Sequence, residues 1–112
     1  MSEMSKTMKL PPCPVETTLQ LIGSKWKVLI LRDLMNGTMR FGELKRSVGS
    51  VSQKVLTSQL RALEADGVVN RKVYAEVPPR VEYSLTELGF SLKPVIETLK
   101  TWGEAYKAKM GA

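Results

Sequence analysis

Four side chains in the middle of the chain, Lys54, Thr57, Ser58 and Arg61, are of the types that contact nucleic acid. At about 100° per residue they fall on one side of a helix, opposite Leu56, Leu60 and Leu63. The leucines must face a core. The other four are short or flexible hydrogen-bonders able to reach base edges and phosphates. Ser52 is a good N-cap for this helix, with Gln53 and Lys54 in its first turn and Gly67 as its stop. Taken alone, the pattern also suits an ordinary amphipathic surface helix, so the elements around it decide.

Those elements form a frame. Gly42 to Val48 predicts a short helix with Phe41, Leu44 and Val48 on one face and Lys45 and Arg46 on another, followed by a tight turn at Gly49 and Ser50. After Gly67 the period changes to two. Val69, Arg71 and Val73 alternate with Asn70, Lys72 and Tyr74, and Val81, Tyr83 and Leu85 alternate with Glu82 and Ser84. Val77-Pro78-Pro79-Arg80 cannot continue a strand and reads as a tip stiffened by two prolines, able to hold Arg80 towards a phosphate or the minor groove. The plainer reading of Arg80 is a solvated turn residue. Helix, turn, helix and two-stranded hairpin together predict a winged helix-turn-helix, mainly α with a small β hairpin (α+β). The helix-turn-helix would span about residues 41–66 and the wing about 68–85. Arg40, Ser52, Gln53, Arg71, Lys72 and Arg80 join the four outward residues as expected DNA contacts.

Charge agrees with this placement. Residues 40–80 hold eight Lys and Arg against four acids, while residues 81–112 are balanced at four against four. Most of the formal +6 therefore sits around the predicted two-helix unit. A pI near 9.6 fits a polyanionic partner, without separating DNA from RNA or an anionic membrane. The 112 residues suit one domain, and a hydrophobic fraction of 43% suits a small core. No run approaches a membrane span, and one cysteine builds no internal disulfide framework, which makes the cytoplasm the default location. Without histidine, and with a single cysteine, zinc sites and histidine-based general base catalysis are out of reach. Neither a phosphate-cradling glycine loop nor a nucleophile elbow is present. The expectation is a non-enzyme with no cofactor or metal.

The flanks read as scaffold. Residues 1–12 read as a flexible arm, and 13–112 as one domain. Pro14 opens a short helix bearing Val15, Leu19 and Ile22, which Gly23 ends. A second helix from about Lys25 to Asn36 is apolar nearly all round, hence central and buried, with Trp26 as a core anchor. After Thr86 a helical segment reaches about residue 109, with Leu88, Leu92, Val95, Ile96, Leu99, Trp102 and Tyr106 at three- and four-residue spacing. Pro94 should kink it or start a fresh helix. This stripe exceeds what a complete small domain needs, so it asks for a partner, although folding back onto its own domain is also open. Val15 and Leu19 are the expected second half of a subunit interface.

Several separated motifs carry a family resemblance. Cys13-Pro14-Val15, Ile22-Gly23-Ser24-Lys25-Trp26-Lys27, Arg40-Phe41-Gly42-Glu43-Leu44, Leu60 to Gly67, and Pro78-Pro79-Arg80-Val81-Glu82-Tyr83-Ser84-Leu85-Thr86 with Gly89 are similar to the HxlR-type family. These are bacterial winged-helix transcription regulators related to the MarR-like group, and the resemblance covers residues 13 to about 106. It implies a homodimer that binds a pseudo-palindromic double-stranded operator and regulates nearby genes, with repression favoured and activation left open. Cys13 stands near a helix N-terminus, where the dipole favours the thiolate, although most free cysteines are simply small buried apolar residues. Some relatives use a cysteine at this place to sense oxidants or electrophiles, pairing it with a second cysteine of the other subunit. This chain has no second cysteine, which leaves an adduct, a mixed disulfide or a symmetric bridge. A protein- or RNA-docking winged helix is the alternative function. The 52–61 helix argues against protein docking, because its outward face lacks apolar and aromatic side chains.

Overall fold

Hydroxyl caps and prolines in the sequence set where most helices of this chain begin. In a computed structural model, which describes residues 10–112, Pro14 stands in the first turn of α1 (Pro14–Ile22) and Ser24 caps α2 (Lys25–Leu34). A two-residue strand β1 (Met39–Arg40) leads into α3 (Phe41–Val48), and Ser52 caps α4 (Gln53–Ala65). The hairpin follows as β2 (Val69–Tyr74) and β3 (Arg80–Leu85). Thr86 caps the single-turn α5 (Glu87–Phe90), and α6 (Lys93–Lys109) closes the chain. This is the expected α+β winged helix-turn-helix. Most of the expected N-terminal arm lies outside the described residues.

Two details differ from the sequence reading, and a third decides between the two outcomes it gave for Pro94. The hairpin is part of a three-stranded antiparallel sheet in the order β1-β3-β2, because Met39 and Arg40 pair with Tyr83 and Glu82. The extra strand fastens the start of α3 to the wing. The second helix is less enclosed than its composition suggests. Ile30, Leu31 and Leu34 are fully buried, but Trp26, Val28 and Leu29 are half-buried against the core edge. The C-terminal segment is two helices, with Pro94 in the first turn of the second, where its missing N–H costs no hydrogen bond.

The core lies where α2, α3 and α4 meet the sheet. Leu44 and Val48 of α3 and Leu56, Leu60 and Leu63 of α4 pack with the α2 side chains, and Val68, Val69 and Leu85 close the sheet side. Each such side chain stabilises the fold by roughly 1.5–3 kcal/mol on burial. Polar ties fix the relative positions of these elements. Buried Asp33 of α2 accepts from Ser47 Oγ of α3 at 2.7 Å and from Arg32 Nε at 2.7 Å. Thr86 Oγ1 donates to the Gly67 carbonyl at 2.7 Å and accepts from Gly89 N–H at 3.0 Å, joining the end of α4 to the exit of the wing. Gly89 sits so close to this joint that a Cβ there would collide with the Val68 carbonyl oxygen.

Candidate nucleic-acid interface

Burial of Leu56, Leu60 and Leu63 turns the opposite side of α4 outward. Lys54, Ser58 and Arg61 are exposed and Thr57 is half-buried. With Gln53 they line one open depression along the helix. Ser52 is committed locally, since its Oγ accepts from Val55 N–H at 3.1 Å. Among the described residues, Gln53, Lys54, Thr57, Ser58 and Arg61 make no side-chain hydrogen bond or ion pair with the rest of the chain. Five donors and acceptors are thus presented together on one rigid helix.

The wing divides the basic residues that the sequence grouped together. Arg71 pairs with Tyr83 across the hairpin, and Lys72 with Glu82, so the two cations lie on opposite faces of the sheet. Arg71 faces α4. A groove of about 250 Å³ is lined by Thr57, Leu60, Arg61, Glu64, Arg71 and Tyr83. Lys72 shares the other face with Arg40, since both stand opposite Glu82 in register. Its Nζ lies 4.9 Å from the Tyr74 ring centre.

Arg80 is neither a free cation nor a plain turn residue. It is the first residue of β3, opposite Tyr74, and its guanidinium lies 3.9 Å from that ring centre. Its Nη2 is 3.1 Å from Glu76 and its Nε 3.7 Å from Glu82. The Nε is enclosed and has no hydrogen bond of normal length. The tip loop of Val77, Pro78 and Pro79 folds over a hollow shared with Arg40, Phe41 and Gly42. The sequence reading missed Tyr74, Glu76 and Glu82 as the residues that hold Arg80. Tyr74 is brought to it by the cross-strand register, Glu76 by the turn of the connecting loop, and Glu82 by lying two residues along the same face of β3.

The expected interface residues also separate. Ile96 is 8% exposed and belongs to this chain's own core, and Leu92 and Val95 pack against it half-buried. Ile96 is thereby removed from the surplus stripe, because α6 docks on α2 there, while Leu92 and Val95 keep part of their surface outward. Beyond it Leu99, Trp102 and Tyr106 are exposed, with the two rings stacked at 5.2 Å and 12°. Val15 and Leu19 are exposed one turn apart on α1. Cys13, at the N-cap position of α1, is exposed rather than buried, and its carbonyl accepts from Thr17 N–H at 3.1 Å.

Among the described residues no cluster of three or more His, Cys, Asp or Glu side chains could hold a metal ion, and no helix is long and apolar enough to cross a membrane.

Comparison with known proteins gives a consistent assignment. The model of the HxlR-like helix-turn-helix family matches residues 21–110. An uncharacterized HTH-type transcriptional regulator of Bacillus subtilis (strain 168), YdeP, is 54% identical over 98 residues, covering 88% of this chain and 77% of its own. The solved structure of the redox regulator HypR in its oxidized form is similar with a TM-score of 0.79 at 53% identity, covering 83% of this chain and 96% of its own. A MarR-family transcriptional regulator from Porphyromonas gingivalis W83 gives a TM-score of 0.80 at 41% identity, covering 83% and 91%. The family consists of transcriptional regulators rather than enzymes. The free polar face of α4, the wing beside it and these relatives lead to one conclusion: the chain belongs to the HxlR-like helix-turn-helix transcriptional regulators.

Proposed function

We propose that this regulator is a cytoplasmic homodimer that inserts α4 into the major groove of a pseudo-palindromic double-stranded operator and represses the adjacent genes. The observation that carries this reading is the set Gln53, Lys54, Thr57, Ser58 and Arg61, gathered on one exposed helix face and uncommitted to the rest of the chain. In this reading Thr57 and Ser58 reach base edges, whereas Lys54, Arg61 and Arg71 meet phosphates, as does Arg40 at the start of α3. Arg80 and Lys72 serve the wing, Arg80 by shaping it.

Dimerisation has its own support. From Glu97 onward every residue of α6 except Gly103 is exposed, although the helix continues to Lys109. Most helical stability in proteins comes from packing of an amphipathic face, which the exposed part of α6 lacks within its own chain. Leu99, Trp102 and Tyr106 offer an apolar seam, and Val15 and Leu19 of α1 offer a second one. Two recognition helices in such a dimer need half-sites about one helical turn, ~34 Å, apart. Cys13 adds an oxidant or electrophile response to the proposal, supported by its exposed thiol and by the similarity to a protein named as a redox regulator.

The test is selection from a pool of randomised duplexes, followed by affinity measurement on the enriched and the unselected pool at two salt concentrations. The expected results are an inverted-repeat sequence and a steep loss of affinity with salt on both pools. Enrichment of no sequence, or salt-insensitive binding, would overturn the reading.

A further inference from the structure

Ser24 lies outside the outward face of α4, yet it is bonded directly to the helix that carries that face. Its Oγ accepts from Lys27 N–H at 3.1 Å, capping α2, and donates to Gln59 Oε1 of α4 at 2.6 Å. Among the described residues this is the only side-chain hydrogen bond between α4 and another helix. Gln59 lies two residues from both Thr57 and Arg61. At about 100° per residue that places it behind them on the helix. The remaining hold on α4 comes from the packing of Leu56, Leu60 and Leu63 in the core and from the Thr86–Gly67 tie beyond its C-terminal end, which leaves the Ser24–Gln59 bond as the polar tie at the middle of the helix. A hydrogen bond adds a directional constraint to that packing, and this one opposes rolling or sliding of α4 over its leucines.

The other end of this contact is just as firmly placed. Ser24 occupies the two-residue corner between α1 and α2, and Gly23 permits that corner because a Cβ there would collide with the Leu19 carbonyl oxygen. The corner is thus a fixed point next to the exposed seam of α1.

We propose that Ser24 and Gln59 form the joint that sets the angle of the recognition helix, making Ser24 a positioning residue for base reading. The proposal rests on the reading of the α4 face as the DNA-contacting surface. Hydrogen bonds to base edges fail with errors of about 0.5 Å in placement, whereas Lys and Arg follow a phosphate over a wider range. Loss of the joint therefore reduces specific binding and spares unspecific binding.

The experiment uses the full chain, a duplex enriched by the native protein from a randomised pool, and the unselected pool itself. Gln59→Met keeps the length and the helix but removes the bond, leaving the α2 cap intact. It should weaken binding to the enriched duplex by about threefold to tenfold, the range for one neutral hydrogen bond, with the unselected pool changed less than about twofold. Ser24→Ala should do the same, and the pair should not add. Ser24→Asp supplies a cap acceptor that the Gln59 amide can meet after turning over, so it should restore the native ratio of the two affinities. An unchanged ratio in Gln59→Met overturns the proposal, as do equal losses on both duplexes that follow the melting temperature. A native protein that enriches no sequence removes the reading of the α4 face and this proposal together. Native enrichment with variants that keep its ratio removes this proposal alone.

Discussion

Truncation of Trp102 separates a dimer seam from a decorative aromatic. In the single chain Trp102 is 67% exposed on α6 and stacked on Tyr106, so Trp102→Ala removes little from the domain's own core. An exposed substitution of this kind changes fold stability by about 0.5 kcal/mol or less. In a dimer the same side chain is covered. Two-thirds of a Trp surface of about 200 Å² is ~130 Å², which at ~25 cal/mol per Å² is about 3 kcal/mol per copy. Allowing for the area alanine keeps, about 2 kcal/mol per copy is lost. A two-fold interface counts it twice, about 4 kcal/mol, or a rise of about a thousandfold in the dimer dissociation constant. Sedimentation equilibrium over a dilution series reads the constant, and thermal melting of the diluted monomer reads the fold. A dissociation constant within tenfold of native, with the fold intact, would refute the placement of the seam on this face of α6.

Other substitutions test the remaining assignments. Thr57→Ala or Ser58→Ala should cost about 1–3 kcal/mol on the enriched duplex and much less on random DNA, as read by fluorescence anisotropy. Arg71→Gln should flatten the dependence of log affinity on log salt by about 1, whereas Lys72→Gln, on the far face beside Tyr74, should change it less. Diamide should alter operator affinity of the native protein and leave Cys13→Ser unaffected; equal responses would make the exposed thiol a bystander. Gly89→Ala should lower stability by about 1–3 kcal/mol in urea unfolding, because its Cβ meets the Val68 carbonyl oxygen and the Leu85 side chain at the wing exit.

What the sequence disclosed, and what it withheld, follows from the range of the interactions involved. Caps are local, so Ser52, Thr86 and the Pro14 start are readable within a few residues, and the frame they bound was legible. The outward face of α4 was legible because its period is internal to the helix. Strand β1 was not, since two residues carry no alternation and pair only with a partner more than forty positions away. The stripe on α6 showed its spacing but not where its own domain stops covering it, which is why Ile96 had to be reassigned to the core. Asp33 in α2 is a charge on an apolar helix whose justification, Ser47, comes from the next helix. Ser24 entered the sequence reading only within a family motif, and its bond to Gln59, 35 positions away, leaves no local signal.

With α4 as the proposed DNA-contacting helix, the distribution of compensated and free charge accounts for how one small domain would both find DNA and read it. On the outer face of the wing Arg40, Lys72 and Arg80 are interleaved with Glu76 and Glu82, and Arg80 is held between its two carboxylates. Among the described residues only Arg80 is ion-paired there, while Arg40 and Lys72 stand opposite Glu82 in register without an ion pair, so the two carboxylates chiefly hold Arg80 and lower the net charge of that face. On the α4 side Lys54, Arg61 and Arg71 stand without an ion-pair partner among the described residues, and Glu64 is the one acid lining the groove between them. Uncompensated cations on a convex helix attract a polyanion at long range, while Thr57 and Ser58 between them act only in contact. In the proposed interface attraction and discrimination therefore share two turns of α4, with Arg71 of β2 beside them. The wing contributes a rigid wall beside them, and the hydrogen bond from Ser24 fixes the angle at which both are presented.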